Sequence, residues 1–115
     1  KVLEARARHP NKMEQQLTEI IERNQLPFKF TGDFSYWVGK CKSGKCRNPD
    51  YVDTGHKKKV ILANGLYHHK NPILNQVELD DYADKGYGTL VIWENEINIE
   101  NEIALVTKIR GFYED

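Results

Sequence analysis

The sequence has no excess of charge, no long apolar run and very little sulfur. Lysine plus arginine number 17 and aspartate plus glutamate 17, so no net field attracts a polyanion, and any surface for nucleic acid must be local. No apolar stretch approaches the roughly 18 residues of a membrane span, and no signal-peptide core is present; a cytoplasmic protein is expected. Cys41 and Cys46 are the only cysteines, spaced C-x4-C. Zinc would need two further ligands, with His56 or His68 the nearest. An intracellular chain with two cysteines usually keeps them as free thiols, and that is the expectation here. At 115 residues the chain has room for one core and not two. It opens on Lys1 and not on methionine, which reads as a piece of something longer. Residues 1–9, charged and without an apolar stripe, read as a frayed helix or a linker from an upstream domain, and residues 10–115 as the folded unit.

What is present is organised around Arg47 to Lys70, RNPDYVDTGHKKKVILANGLYHHK. Pro49 cannot sit inside a central strand, so a first strand starts near it and carries Asp50 and Val52. Gly55 and His56 fall where a hairpin turn is expected, and Lys57, Lys58 and Lys59 lead out of it. Val60, Ile61 and Leu62 form the kind of run that is buried on both faces of a sheet. That strand should stop at Asn64-Gly65, where glycine can take positive φ. Asp50 by one strand and His69 just beyond the next bring an acid and an imidazole within reach of one point.

Upstream, Met13, Leu17, Ile20 and Ile21 recur at helical spacing. Asn11 is in N-cap position and Glu14 in capping-box position, and Leu26-Pro27 should end the helix. Phe28, Phe30, Phe34, Tyr36 and Trp37 read as strand broken by a turn at Thr31-Gly32-Asp33. Lys40, Lys42, Lys45 and Arg47 follow in a loop that is either a solvated hairpin or, with Trp37, a contact for a phosphate backbone. Downstream, Pro72 opens a helix with Ile73, Leu74, Val77, Tyr82 and Ala83 on its apolar face, closed by Gly86. Thr89 to Trp93 is a buried strand, and a helix between two strands implies parallel neighbours. Ile99, Ile103, Val106, Ile109 and Phe112 or Tyr113 predict a last helix within 97–112, ending at Gly111. The sum is an α/β domain in the order α-β-β-β-α-β-α, a small mixed sheet flanked by helices.

NPDYV, KKVILANGLYHH and GYGTLVIWENEI, in this order and spacing, resemble the nuclease core of the PD-(D/E)xK superfamily, with its restriction-endonuclease-like fold. The nearer resemblance is to the branch of very short patch repair endonucleases and related phage homing endonucleases, and it covers residues 10–112. The resemblance implies a site of Glu14, Asp50, a variable position at Ala63, His69 and a last acid. That acid is Asp80 or Glu78, with Asp81 adjacent; the reading leans to Asp80. It implies Mg²⁺ or another divalent cation held by Asp50 and the Ala63 carbonyl. The repair enzymes carry a structural zinc; the cysteine that helps hold it falls at Leu66 here, so no structural zinc is expected. The aromatic wedge of the repair enzymes falls at Tyr67 and His68.

Double-stranded DNA is the implied substrate. Lys40, Lys42, Lys45, Arg47, Lys57, Lys58, Lys59, Trp37 and Tyr67 are the expected contacts. In that chemistry Asp50 is a hard oxygen ligand, His69 transfers a proton, and an acid such as Asp80 fixes its tautomer. The neutral balance of charge places sequence specificity in an upstream DNA-binding module, with two copies pairing where both strands are cut. The alternatives are a mismatch-nicking or restriction-type enzyme, and a nuclease fold without activity that binds DNA or protein. Ala63, where many relatives carry an acid, is the feature that favours the last. Taken singly, Glu14, Asp50 and His69 also fit plain roles as a capping glutamate, a strand-edge aspartate and an exposed histidine.

Overall fold

The computed structural model describes residues 10–65 and 72–115. Its elements run α1 (Lys12–Arg23), β1 (Phe28–Phe30), β2 (Tyr51–Asp53), β3 (Lys59–Asn64), α2 (Pro72–Asp84), β4 (Gly88–Trp93) and α3 (Glu102–Glu114), with two short 3-10 turns before α3. The sheet order is β1-β2-β3-β4. The first two pairings are antiparallel and β3 with β4 is parallel, so α2 is the crossover. The element order and the mixed sheet match the sequence expectation. Among the described residues no helix is long and apolar enough to cross a membrane.

Alternation along the strands sorts the core into two layers. Ile61 and Ala63 of β3 face α1 and α3, packing with Leu17, Ile20, Leu105 and Ile109. Val60 and Leu62 face the other way, onto Tyr82 of α2 with Tyr36 and Val38 of the long β1–β2 connection. β3 is thus covered on both faces, which is why its sequence is continuously apolar.

Four expectations are corrected. First, α1 does not run to Leu26-Pro27. It ends at Asn24, because Gln25 takes φ +54 and the Leu26 N–H reaches back to the Ile20–Ile21 turn at Ile21 O, 2.9 Å away. Second, β1 is three residues long, and Phe34 to Trp37 lie in a loop and not a strand, with Phe34 at φ +72. Third, α3 continues through Gly111 to Glu114, and two residues assigned to its apolar face, Ile99 and Ile103, are 83% and 85% exposed. Fourth, the apolar face expected of α2 is buried only in part, at Tyr82. Ile73 is 75% exposed, while Asp81 and Tyr82 are buried. The inward face is mixed: Tyr82 meets Val60 and Leu62, while Asp81 beside it closes on Ser43 and Arg47 of the β1–β2 connection.

The turns follow turn chemistry. Asn11 and Glu14 form the expected capping box, and Gly86 at φ +87 closes α2. In the β2–β3 turn the positive φ falls on His56 and Lys58, not on Gly55. The Asp53 carboxylate stabilises it, accepting from the N–H groups of Gly55, Lys57 and Lys59 at 3.1, 2.8 and 2.9 Å. Burial pushes the Asp53 carboxyl up, but the three N–H groups outweigh burial and hold it below its ordinary value. Gly65 ends β3 without positive φ; a Cβ there would meet Glu94 Oε1 at 3.4 Å.

Candidate functional site

Pro49 decides how the sheet opens. The β2–β3 register pairs Tyr51 with Ile61 and Val52 with Val60, so its continuation sets Pro49 opposite Ala63. Proline has no N–H to give, and the Pro49 carbonyl accepts the Thr31 hydroxyl at 2.9 Å. The ladder stops there, and the Ala63 N–H turns to a side chain, donating to Asp50 Oδ2 at 2.8 Å. Because N–H and C=O of a strand residue point to the same side, the Ala63 carbonyl also faces the Asp50 side.

The gap so formed is a cleft of about 550 Å³ at the C-terminal ends of the parallel pair β3 and β4. Open α/β sheets gather ligands at such ends. Glu14, Asp50, Ala63 and Glu78 all line it, and so do Asn64 and Glu94. Glu14 is only 2% exposed. Its Oε1 accepts the Asn11 N–H at 3.0 Å while its own N–H donates to Asn11 Oδ1 at 2.8 Å. The capping role and the cleft role therefore coexist in one side chain. Tyr51 fixes α1 to the sheet at this point: its hydroxyl donates to the Glu14 carbonyl at 2.7 Å and lies 2.8 Å from the Thr18 hydroxyl. Burial pushes that phenol far above its ordinary range.

The acids of α2 separate cleanly. Glu78 lines the cleft. Asp80, the favoured reading from sequence, does not line it; it is exposed and accepts from Gln76 Nε2 at 2.8 Å. Asp81 is buried and serves the β1–β2 connection, accepting from Ser43 Oγ at 2.6 Å and Arg47 Nε at 2.8 Å. The Ser43 hydroxyl, ahead of Arg47, holds the Asp81 carboxyl below its ordinary value. Arg47 also stands 4.0 Å from Glu78 and has only 15% of its side chain exposed, so this cation organises the α2 acids from inside the fold.

The remaining cations divide by position. Lys57, Lys58 and Lys59 lie at the far end of β3, roughly 16 Å from Asn64 by the usual strand rise, and none lines the cleft. They cap helix ends: Lys57 Nζ donates to Tyr113 O, Lys58 Nζ to Lys85 O and Lys59 Nζ to Phe112 O. Lys40, Lys42 and Lys45 are exposed on a small hairpin closed by the Lys40–Cys46 bridge, and Lys42 pairs with Asp84 at 3.0 Å. Cys41 and Cys46 are free thiols, the first buried. Trp37 is 47% exposed. His69, together with Leu66, Tyr67 and His68, lies outside the described residues, as do residues 1–9.

The donors on the cleft are carboxylate, amide and carbonyl oxygens, the hard set that suits Mg²⁺. Among the described residues no three acid, imidazole or thiol side chains converge tightly enough to hold an ion by themselves. The arrangement fits an ion that keeps most of its waters and takes one or two carboxylates. Asp50 and the Ala63 carbonyl, both on the cleft, are the groups that would hold it. Sequence reasoning missed Glu94 and Asn64; the signal available was their place directly after β4 and at the end of β3, where parallel strands collect sites. Comparison with protein-family models, curated proteins and solved structures gives no match to this chain.

Proposed function

We propose that this domain is a divalent-metal-dependent DNA endonuclease that hydrolyses phosphodiester bonds, built on a PD-(D/E)xK-type core and serving as the catalytic part of a homing-type enzyme in a bacterial cytoplasm. The observation that carries the reading is the meeting of Glu14, Asp50, Ala63 and Glu78, drawn from four separate elements or their edges, on one cleft. A bound divalent cation neutralises charge on the phosphoryl oxygens and eases deprotonation of a water. Asp50 would offer its carboxylate to that ion, and the Ala63 N–H steadies the side chain through Oδ2. Glu78, positioned by Arg47, and Glu14, positioned by its cap, orient water and the proton-transferring group. His69 is assigned that proton transfer, consistent with an imidazole that titrates near neutrality.

Sequence selection is assigned to an upstream DNA-binding module, because Lys57 to Lys59 are engaged with helix ends and the domain has no net charge. Binding by a full-length protein should then fall steeply with salt and binding by these 115 residues should be weak. The test is incubation of plasmid DNA with the protein in Mg²⁺ and in EDTA. Nicked or linear product in Mg²⁺ alone, lost in Asp50→Ala and His69→Ala, supports the reading; intact plasmid under all conditions, including with the full-length protein, overturns it. Matched and T·G-mismatched duplexes compared in the same assay separate a homing enzyme from a mismatch-nicking one.

A further inference from the structure

We propose that Phe34 and Trp37 form a platform on which one unstacked nucleobase of bound DNA rests, on a loop fastened to residues of the cleft; the inference builds on the nuclease reading. Large aromatic rings ordinarily go to the core, yet these two are 41% and 47% exposed. They are not loose. Their ring centroids are 5.5 Å apart with planes at 22°, and Trp37 Nε1–H donates to Phe34 O at 3.1 Å. Phe34 takes φ +72, a left-handed conformation that a bulky side chain adopts only when its surroundings impose it.

Those surroundings are a loop tied to the cleft, which neither ring itself lines. The Thr31 and Gly32 N–H groups donate to the Asp50 carbonyl at 2.7 and 3.1 Å. Asn48 Nδ2 donates to both Thr31 O and Tyr36 O at 2.7 Å. The loop is therefore fastened on both sides to Asn48 and Asp50, two residues that line the cleft, and Trp37 follows one of the fastened residues directly.

The chemistry of the platform selects its occupant. With the indole N–H already used, the pair offers a π face and no edge for reading a base, which is the sequence-tolerant way of holding a nucleobase. Two rings match a base in size and fall far short of the roughly 800 Å² per partner of a stable protein interface. Exposed Lys40 and Lys45 follow on the adjoining hairpin, where they suit phosphates flanking the stacked base.

The experiment uses the whole chain with Trp93→Phe, which leaves Trp37 as the sole tryptophan. It is titrated in EDTA with a mixed-sequence duplex holding a short unpaired bubble, and with the fully paired duplex. Stacking should quench Trp37 emission on the bubble duplex; Phe34→Ala, read by that emission, and Trp37→Ala, read by 2-aminopurine placed in the bubble, should weaken binding about 5- to 100-fold. The paired duplex should respond less. In Mg²⁺ the same variants should raise KM more than they lower kcat. If Trp93→Phe fails to fold, 2-aminopurine in the bubble gives the same readout with the native chain. DNA bound and cut with no quench and no change in KM overturns the platform and leaves the nuclease standing. Quenching with no Mg²⁺-dependent cleavage by the native chain or by the full-length protein keeps the platform and overturns the nuclease. Self-association lost in Phe34→Ala, with no quench by DNA, assigns the pair to a second copy and overturns the proposal.

Discussion

Ala63 gives its backbone N–H to the carboxylate of Asp50 at 2.8 Å, so a side chain completes a strand ladder that Pro49 has interrupted. This bond ties the Asp50 side chain to the end of β3, where both residues line the cleft. It also makes structure and chemistry separable. Asp50→Asn keeps an acceptor for the Ala63 N–H but removes the charge a divalent ion needs. Denaturant midpoints should move little, while Mg²⁺-dependent cleavage should fall about 10³-fold or more, the size of a lost charge-stabilising contact. A large loss of stability with cleavage intact would contradict this division.

Glu78 and Asp80 are two residues apart, but only the first lines the cleft. Glu78→Gln should reduce kcat by at least about tenfold, a modest catalytic contribution by the scale of positioned acid–base groups. Asp80→Asn keeps an acceptor for Gln76 on the exposed side of α2 and should leave both stability and cleavage near wild type. Parallel steady-state assays of the two variants decide; the reverse ranking would return the last site acid to Asp80.

Tyr51 joins the chain segment carrying Asp50 to the helix carrying Glu14 through its bond to the Glu14 carbonyl. Tyr51→Phe leaves the ring in the core but removes a buried donor. It should cost about 1–3 kcal/mol in urea unfolding and lower kcat more than it raises KM, because Glu14 loses its fixed height over the cleft. An unchanged kcat in a destabilised protein would confine Tyr51 to a structural role.

Acid stability follows from carboxylates held low in the fold. Asp81 is held below its ordinary value by Ser43 and then Arg47, Glu102 by Arg23 and then Asn24, and Asp53 by three backbone N–H groups that outweigh burial. Each has a folded value below its unfolded one, so its contribution is complete above the unfolded carboxylate range near pH 4. It is lost as pH falls through the lower folded values. Thermal melts should be flat from neutrality to about pH 5 and drop below it. Asp81→Asn should lower the plateau and soften the acid limb; an acid limb identical to wild type would remove Asp81 from the linkage.

Much of the fold was legible because local signals and packing agree. Asn11 and Glu14 announce a capped helix, the apolar run Val60 to Leu62 announces a strand covered on both faces, and Gly86 announces the end of α2. The errors share a cause. Ile99, Ile103 and Ile73 keep helical spacing but stay exposed, while Asp81 and Glu78 face inward because Arg47, far away in sequence, meets them. Spacing reports which residues share a face, not what that face meets. The same holds for Lys57 to Lys59, whose partners are the ends of helices that fold against them only in three dimensions. Telling Glu78, Asp80 and Asp81 apart likewise needed the rotation of α2 about its axis, and Glu94 stood within GYGTLVIWENEI with nothing in the spacing to give it a place on the cleft.

The most direct test is paramagnetic broadening of assigned amide resonances by Mn²⁺ added in place of Mg²⁺. The account predicts selective loss of the Asp50, Ala63 and Asn64 amides at low Mn²⁺, competed by Mg²⁺ and abolished in Asp50→Asn. Broadening centred elsewhere, or none up to millimolar Mn²⁺ with and without DNA, would contradict a cation site on this cleft.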